Sequence, residues 1–375
     1  MRLSTIYFDD QATTPVDPRV REAMAPCFCE AFGNPASRTH AYGWQAEMAV
    51  NKARAQVANL INAKPEHIIF TSGATESNNL ALMGTLEGVG KPAHVIVSAV
   101  EHKAILEVAE AAALRGFTCT VLPVNEYGQV TLDQIEKAIR PETKLISIMW
   151  ANNEIGSINP IAQIGALAKK HNIFFHTDAA QAASRVPIDV ESMNIDLLSM
   201  SGHKMYGPKG VGALFVRRHI VPLKPIMFGG AQEWGLRPGT LNVPGIVGLG
   251  SACEIAKSEG LSESTRLRQW RDTLVNLILK EVPGSRLNGH PTERLCSNVS
   301  FSFKGLKSDL FTLGLGGLAC SSGSACTSAT GSSSHVLKAI GLSEDLARAT
   351  LRLGFGRFTT ASEISSLTQK ILALR

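Results

Sequence analysis

Short apolar runs alternate with longer amphipathic segments through the first two thirds of the chain. Apolar runs at 67–70, 94–97, 118–122, 145–149 and 173–176 predict strands, and helical patterns at 74–84, 101–114, 132–139 and 161–170 separate them. Strands separated by helices imply βαβ units in a mostly parallel sheet that is covered on both faces. A further run at 212–217 predicts an antiparallel neighbour in that sheet.

The pattern changes after about residue 244. Helices are predicted over 246–258, 264–281, 335–340 and 362–374, with one alternating strand at 297–303. We therefore expect an α/β fold in which residues 15–258 form a large domain. Residues 1–14 and 259–375 would form a smaller α+β domain.

A stretch rich in glycine and serine lies before the last helices. Five glycines and seven serines occur among the 24 residues at 311–334, together with Cys320 and Cys326. Linkers often have such a composition, but they rarely carry apolar runs and two cysteines. We interpret residues from about 320 to 334 as a functional loop that is exposed and poorly ordered without substrate.

Composition and charge exclude several classes of protein. With 44% hydrophobic and 18% charged residues among 375, the chain is not intrinsically disordered. No apolar run approaches the ~18 residues of a membrane span, and the acidic start at Asp9 and Asp10 is unlike a secretory signal. A net charge of +5 from scattered Lys and Arg does not support direct nucleic-acid binding. We expect a cytoplasmic protein with no membrane contact.

The cysteines predict neither a disulfide framework nor a metal site. There are seven, an odd number, and no Cys-x-x-Cys or His-Glu-x-x-His pattern occurs. No metal is therefore expected, and at least one thiol is a candidate for reactivity.

Three polar groups follow predicted strands, where ligands bind in open α/β sheets. Thr75 lies at a helix start that is either an ordinary cap or a phosphate cradle. Asp178 ends an apolar strand and needs a cationic partner, which is either an arginine or a protonated heterocyclic nitrogen. Lys204 is either a surface residue or an amine that forms a Schiff base, and Ser201 and His203 beside it are phosphate donors. In this order the three groups supply what pyridoxal phosphate requires.

Longer motifs extend this interpretation over nearly the whole chain. They occupy residues 12–15, 32–37, 71–79, 101–103, 152–156, 201–210 and 321–328. With these motifs the chain resembles the cysteine desulfurases of the NifS and IscS group, which are class V (fold type I) pyridoxal-phosphate enzymes. The resemblance implies a large cofactor-binding domain with a mostly parallel sheet of the seven-stranded type. The cysteine in the last motif distinguishes this group from related aminotransferases.

The resemblance also implies a role for each matching residue. Lys204 would hold pyridoxal phosphate covalently, Asp178 would pair with its ring nitrogen, and His102 would stack on the ring and act as an acid–base group. The other cofactor contacts that the resemblance implies are Ala74, Thr75, Ser201 and His203 to the phosphate, Asn153 and Gln181 to the phenolic oxygen, and Thr240 to the phosphate of the neighbouring subunit in a homodimer.

Substrate contacts and the activity follow from the same resemblance. Arg352, with Asn34 and Asn153, would hold the substrate carboxylate, and Cys326 would be the nucleophile. The implied activity converts L-cysteine to L-alanine and leaves a persulfide on Cys326 for an acceptor protein, in iron–sulfur cluster assembly, tRNA thiolation or a similar pathway. An aminotransferase, a selenocysteine lyase and a non-catalytic sulfur carrier that uses Cys320 and Cys326 remain the alternatives.

Overall fold

The fold is built on a seven-stranded sheet and a smaller three-stranded sheet. The computed structural model describes residues 5–305, 316–321 and 334–373. Cys326 and most of the predicted loop at 320–334 therefore lie outside the described residues. The strands are β1 (Ile6–Tyr7), β2 (Ile68–Thr71), β3 (His94–Ser98), β4 (Thr118–Leu122), β5 (Thr143–Ser147), β6 (Phe174–Asp178), β7 (Leu197–Ser201), β8 (Gly212–Val216), β9 (Ser285–Leu287), β10 (Asn298–Phe303), β11 (Leu318–Ala319) and β12 (Thr350–Gly354).

Helices connect and cover these strands. They are α1 (Pro18–Met24), α2 (Pro26–Cys29), α3 (Ala41–Leu60), α4 (Ala74–Val89), α5 (Lys103–Leu114), α6 (Leu132–Ala138), α7 (Ile161–Lys170), α8 (Val243–Glu281), α9 (His335–Ala339), α10 (Glu344–Arg348) and α11 (Ala361–Leu372). Within the described ranges, none of these helices combines the length and the apolar composition that crossing a bilayer requires.

The large sheet confirms the predicted α/β class. Its strand order is β2-β8-β7-β6-β5-β3-β4. The pairs from β7 through β6, β5 and β3 to β4 are parallel, and β8 runs antiparallel to both β7 and β2. Because side chains alternate along a strand, Ile68 and Phe70 enter the core on one face while Ile69 enters the core on the other. Strands that are buried on both faces explain the nearly continuous apolar runs in the sequence.

The two helices predicted at 246–258 and 264–281 are one helix, so that prediction is wrong. Helix α8 continues through residues 259–263 over 39 residues. Gly260 is buried inside it, and its cost of about 1 kcal/mol relative to alanine is small beside the packing of the helix. Ser264 donates a hydrogen bond to the carbonyl oxygen of Arg185 at 3.2 Å. The predicted boundary between residues 258 and 259 falls inside this helix, and the division into two domains stays a prediction.

The smaller sheet has the order β12-β10-β9 and is antiparallel. It packs on the second half of α8 through a core that includes Phe8, Leu274 and Phe301. The start of the chain reaches this region because β1 pairs in parallel with β11 and because Asp9 bridges to Gly354 at the end of β12. Residues near the start of the chain are thereby placed beside β12.

Candidate active site

Ten of the predicted site residues line one cavity of about 490 Å³. It lies where β3, β5, β6 and β7 end, because parallel strands bring their carboxyl ends to one edge of the sheet. The predicted residues that line it are Ala74, Thr75, His102, Asn153, Asp178, Gln181, Ser201, His203, Lys204 and Arg352.

Asp178 is a buried carboxylate at the end of β6. The side-chain amide of Asn78, on α4, donates to its Oδ2 at 2.7 Å, and the Ala180 backbone N–H donates to its Oδ1 at 2.9 Å. Both of these partners are neutral, so neither hydrogen bond supplies a positive charge to balance the carboxylate. This is the arrangement expected of a carboxylate that pairs with a cationic ligand.

The start of helix α4 forms the second wall. Its N-cap, Gly73, has a φ of 152° and makes no side-chain cap hydrogen bond, so the first backbone N–H groups of the helix are free to bind an anion. An added Cβ at Gly73 would lie 3.7 Å from Ser201 Oγ, and one at Gly212 would lie 2.6 Å from Gly73 Cα. The absence of a side chain at Gly212 lets β8 approach the start of α4, whereas at Gly73 it is the backbone conformation that favours glycine.

His203 and Lys204 follow β7 in a short 3₁₀ turn. Burial and the neighbouring Lys204 lower the pKa of His203 to about 4, so its ring is neutral at neutral pH, and its Nδ1 lies 3.1 Å from Thr13 Oγ1. Lys204 donates from Nζ to the carbonyl oxygens of Gln11 at 2.5 Å and Ala12 at 2.7 Å. A segment from the start of the chain thus holds the lysine amine inside the cavity.

His102 is the N-cap of α5, and the Ala104 backbone N–H donates to its Nδ1 at 3.1 Å. Burial, and to a lesser degree the charge of Lys204, lowers the pKa of the His102 ring, which the charge of Asp178 partly opposes. A neutral ring that accepts at Nδ1 carries its hydrogen on Nε2. The ring therefore presents an N–H donor rather than a full positive charge.

Arg352 enters the cavity from β12 and is almost completely buried. Its Nη2 forms an ion pair with Asp9 Oδ1 at 2.6 Å, and its Nη1 lies 3.4 Å from the carbonyl oxygen of Asn153. A planar guanidinium with donors left at its end is suited to bind a carboxylate.

Comparison with known proteins decides the family. The model of the family "Aminotransferase class-V" matches residues 6–367. The chain belongs to the class-V aminotransferase family. A protein of Drosophila melanogaster named "Cysteine desulfurase, mitochondrial" is 50% identical over 375 residues, covering 98% of this chain and 80% of that protein.

Two solved structures agree with this assignment. A NifS-like protein has a TM-score of 0.91 and 35% identity, covering 99% of both chains. SspA in complex with cysteine has a TM-score of 0.85 and 40% identity, covering 95% of this chain and 100% of that one. The resemblance found from the motifs is confirmed, and the chain is a pyridoxal-phosphate-dependent enzyme, as the sequence predicts.

The donor set of this class-V enzyme fits pyridoxal phosphate. The N-terminus of α4 with Ser201 and His203 suits the phosphate, the carboxylate of Asp178 suits the ring nitrogen, and Lys204 lies in the same cavity. Gln181 donates to the carbonyl oxygen of Gln11 at 2.9 Å, beside the Lys204 amine.

Two predicted residues do not line the cavity of this chain. Asn34 lines a separate cavity of about 400 Å³ with Arg54 and Trp234, and Thr240 is exposed. Two contacts stay predictions: that of Asn34 with the substrate, and that of Thr240 with the cofactor phosphate of the neighbouring subunit. Cys326, the predicted nucleophile, lies outside the described residues.

Cys320, the other cysteine of the predicted loop, packs against the core that contains Phe8. Burial, with the charge of Asp9, raises the pKa of its thiol to about 11. A thiol that stays protonated at neutral pH is a poor nucleophile.

Several residues of the site are missed by the sequence reasoning. Gln11 and Ala12 contribute backbone carbonyl oxygens, and Asn78 anchors Asp178 from a neighbouring element. Ala12 and Asn78 lie inside the motifs at 12–15 and 71–79, but the motifs assigned them no role. Asp9 pairs with Arg352 although 343 positions separate the two. In the sequence, the acidic pair Asp9-Asp10 is the signal that a basic partner lies nearby in the fold.

Proposed function

We propose that the chain is an L-cysteine desulfurase that forms L-alanine and transfers the sulfur to Cys326 and then to an acceptor. The observation that carries the proposal is the convergence of Lys204, Asp178, His102 and Arg352 on one cavity. The name of the Drosophila relative and the cysteine bound to SspA support L-cysteine as the substrate. The loop cysteine, present in the sequence, favours this activity over amino-group transfer.

The cofactor is the source of the electronic chemistry, because bound pyridoxal phosphate withdraws the electrons that remain when a bond to the substrate's Cα breaks. Asp178 would pair with the ring nitrogen, and its hydrogen bonds from Asn78 and Ala180 fix the direction of the carboxylate. The N–H groups at the start of α4 would hold the phosphate by charge-assisted hydrogen bonds.

The substrate is oriented by its carboxylate. Arg352 would bind that group, with the side chain of Asn153 at the same wall of the cavity. Lys204 is the amine placed to move the proton at the substrate's Cα. His102 would offer its Nε2 hydrogen to the bound substrate or cofactor, and its role as an acid–base group stays a prediction.

The sulfur step needs a thiolate, and we assign it to Cys326 from the sequence. The thiolate attacks the sulfur of bound L-cysteine, so that an S–S bond forms and the substrate's C–S bond breaks, its electron pair going to carbon. A proton then completes the methyl group of L-alanine, and the persulfide stays on Cys326. The raised pKa of the Cys320 thiol argues against that residue as the nucleophile.

The assay incubates the protein, loaded with pyridoxal phosphate, with L-cysteine and a reductant and measures sulfide and alanine. We expect both products in equal amounts. A parallel reaction supplies L-cysteine or L-alanine with a keto acid and measures the new amino acid. Amino-group transfer without sulfide would replace this proposal by the aminotransferase alternative.

We also propose a homodimer as the functional unit. Large apolar side chains are exposed near α2 and α3, among them Phe28, Phe32, Tyr42, Trp44 and Met48. The rings of Phe32 and Tyr42 lie 5.2 Å apart, so they form part of one patch. An exposed apolar patch of this kind supports a protein–protein interface. Light scattering of the purified protein should give twice the monomer mass, and a Trp44→Glu variant should lower it.

The site of action and the acceptor are proposals as well. We propose a cytoplasmic location, with a sulfur-acceptor protein of iron–sulfur assembly or tRNA thiolation as partner. The Drosophila relative is named mitochondrial, so fractionation of the source cells with an antibody against this chain is the deciding test. Capture of partners by the persulfide-loaded protein would identify the acceptor.

A further inference from the structure

Asp9 is the counter-charge of the residue proposed to bind the substrate carboxylate. Its Oδ1 accepts from Arg352 Nη2 at 2.6 Å, and its Oδ2 accepts from Ser321 Oγ at 2.9 Å. Among residues 5–305, 316–321 and 334–373, it is the one carboxylate that forms an ion pair with Arg352. The exposed fraction of the two side chains is 2% for Arg352 and 17% for Asp9, so the pair is shielded from bulk water.

The backbone fixes this pairing. Asp9 bridges to Gly354, and the Gly354 N–H donates to the carbonyl oxygen of Phe8 at 2.8 Å. The hydroxyl of Tyr7 donates to the carbonyl oxygen of Asp9 at 3.1 Å. The backbone of Asp9 is therefore held against Gly354, which lies two positions after Arg352 in β12. Asp9 is thus not a mobile surface carboxylate.

The pair affects any anion that binds the arginine. Asp9 contacts one of the two terminal nitrogens of the guanidinium, and Nη1 has the Asn153 carbonyl oxygen as a distant acceptor at 3.4 Å. The guanidinium keeps donors for a second carboxylate, that of a bound ligand. The ligand carboxylate and the Asp9 carboxylate would then bind the same guanidinium. Two carboxylates that share one guanidinium repel each other, and the repulsion is stronger where water is excluded.

We propose that Asp9 is a specificity-determining residue, whose charge makes the cavity reject simple carboxylates in favour of α-amino acids. The proposal rests on the proposed role of Arg352 as the carboxylate-binding residue. An α-amino acid carries a positively charged ammonium group on the carbon next to its carboxylate, and this charge offsets the repulsion from Asp9. A simple carboxylate brings no such charge and pays the full repulsion.

The test compares two ligands that differ in the amino group alone, L-alanine and propionate. Binding of L-alanine to the cofactor-loaded enzyme is followed by the visible absorbance of the cofactor, and binding of propionate by its competition with L-alanine. We expect Asp9→Asn to bind propionate roughly tenfold more tightly than the unmodified enzyme, or about 1.4 kcal/mol. The gain for L-alanine should be less than threefold, so the preference for the amino acid falls.

Three further variants keep the result interpretable. Asp9→Glu keeps the charge and should not tighten propionate binding. Asp133→Asn removes an exposed carboxylate that pairs with Lys137 and should change neither affinity. Asp9→Ser removes the charge in a second way and is measured if Asp9→Asn does not take up cofactor. Propionate affinity that is unchanged or weaker in the charge-removing variant would overturn the inference.

Arg352→Gln separates this inference from the proposed function. It should weaken the binding of both ligands. If it does so while Asp9→Asn leaves propionate unchanged, the inference about Asp9 alone is wrong. If it leaves both ligands unchanged, the assignment of Arg352 fails and the inference falls with it.

Discussion

Replacing Asp178 by asparagine removes the buried charge of the site while keeping the shape of the side chain. In the protein, Asn78 Nδ2 donates to Asp178 Oδ2 at 2.7 Å, whereas Asn78 Oδ1 is buried and has no hydrogen-bond partner among the described residues. A flip of the Asn78 amide would present that free oxygen to the new side-chain NH₂ group. The Ala180 N–H can still donate to the remaining side-chain oxygen.

Two effects are expected, one on stability and one on turnover. A hydrogen bond to a charged group contributes ~1.5–3 kcal/mol and a neutral one ~0.5–1.5 kcal/mol, so the variant should lose about 1–2 kcal/mol of stability and still fold. An opposite charge nearby shifts a pKa by about 1–3 units. If Asp178 pairs with the ring nitrogen as proposed, loss of the carboxylate charge would lower the pKa of that nitrogen by a similar amount, and turnover should fall roughly 100-fold.

Thermal unfolding and turnover of L-cysteine, both with bound cofactor, test this prediction. Asn78→Ala is the matched control, because it removes the hydrogen bond from Asn78 to Asp178 but keeps the carboxylate charge. It should lose similar stability and much less activity than Asp178→Asn. Near-normal turnover in Asp178→Asn, with cofactor bound, would refute the role of the carboxylate at the ring nitrogen.

Three further predictions concern the glycine beside the phosphate cradle, the two loop cysteines and a buried glutamate. Gly212→Ala places a Cβ 2.6 Å from Gly73 Cα and Met200 O, so we expect a loss of about 1–3 kcal/mol in stability and weaker cofactor binding in a titration, with Gly260→Ala in α8 as a control that keeps cofactor affinity. Cys326→Ser should keep the cofactor's colour and release almost no sulfide, whereas Cys320→Ser should keep most activity; sulfide release by the first variant would identify the wrong nucleophile. Burial raises the pKa of Glu101 to about 8, so the folded state binds more protons than the unfolded state from about pH 4.5 to 8, and the free energy of unfolding falls as pH rises through that range. The free energy of unfolding, measured in urea at pH 5 and at pH 8, should decline by about 3–4 kcal/mol less in Glu101→Gln than in the unmodified protein, and equal declines in both proteins would contradict the assignment.

The predictions from sequence were most accurate where the signal is local. Buried strands such as β3 and β6 require apolar side chains on both faces, so their runs are visible without knowledge of the fold. The motifs around Thr75, Asp178 and Lys204 are also short, and their roles depend on following a strand. The sequence therefore predicted the α/β class and the residues that line one wall of the cavity.

Sequence reasoning failed where an outcome depends on distant packing. The gap between the two predicted helices at residues 259–263 does not exist, because α8 continues through the buried Gly260. The cost of a glycine inside a helix is small beside its packing. The helices between residues 18 and 60 were not predicted, although α3 packs along α8 through side chains such as Val50 and Leu249. The sequence pattern of α3 is weak by itself, and the helix is stabilised mainly by packing its apolar face against α8.

What the sequence by itself determined is the set of chemical groups and the order in which strands and helices present them. A lysine, an aspartate and a helix start that each follow a strand must meet at one sheet edge once the strands are parallel. The tertiary structure alone decided which charged and polar groups are paired with each other. Pairing of β1 with β11 and of Asp9 with Gly354 brings the start of the chain against β12. There Asp9 balances Arg352, and two carbonyl oxygens hold the amine of Lys204, because backbone pairing joins positions that are hundreds of residues apart.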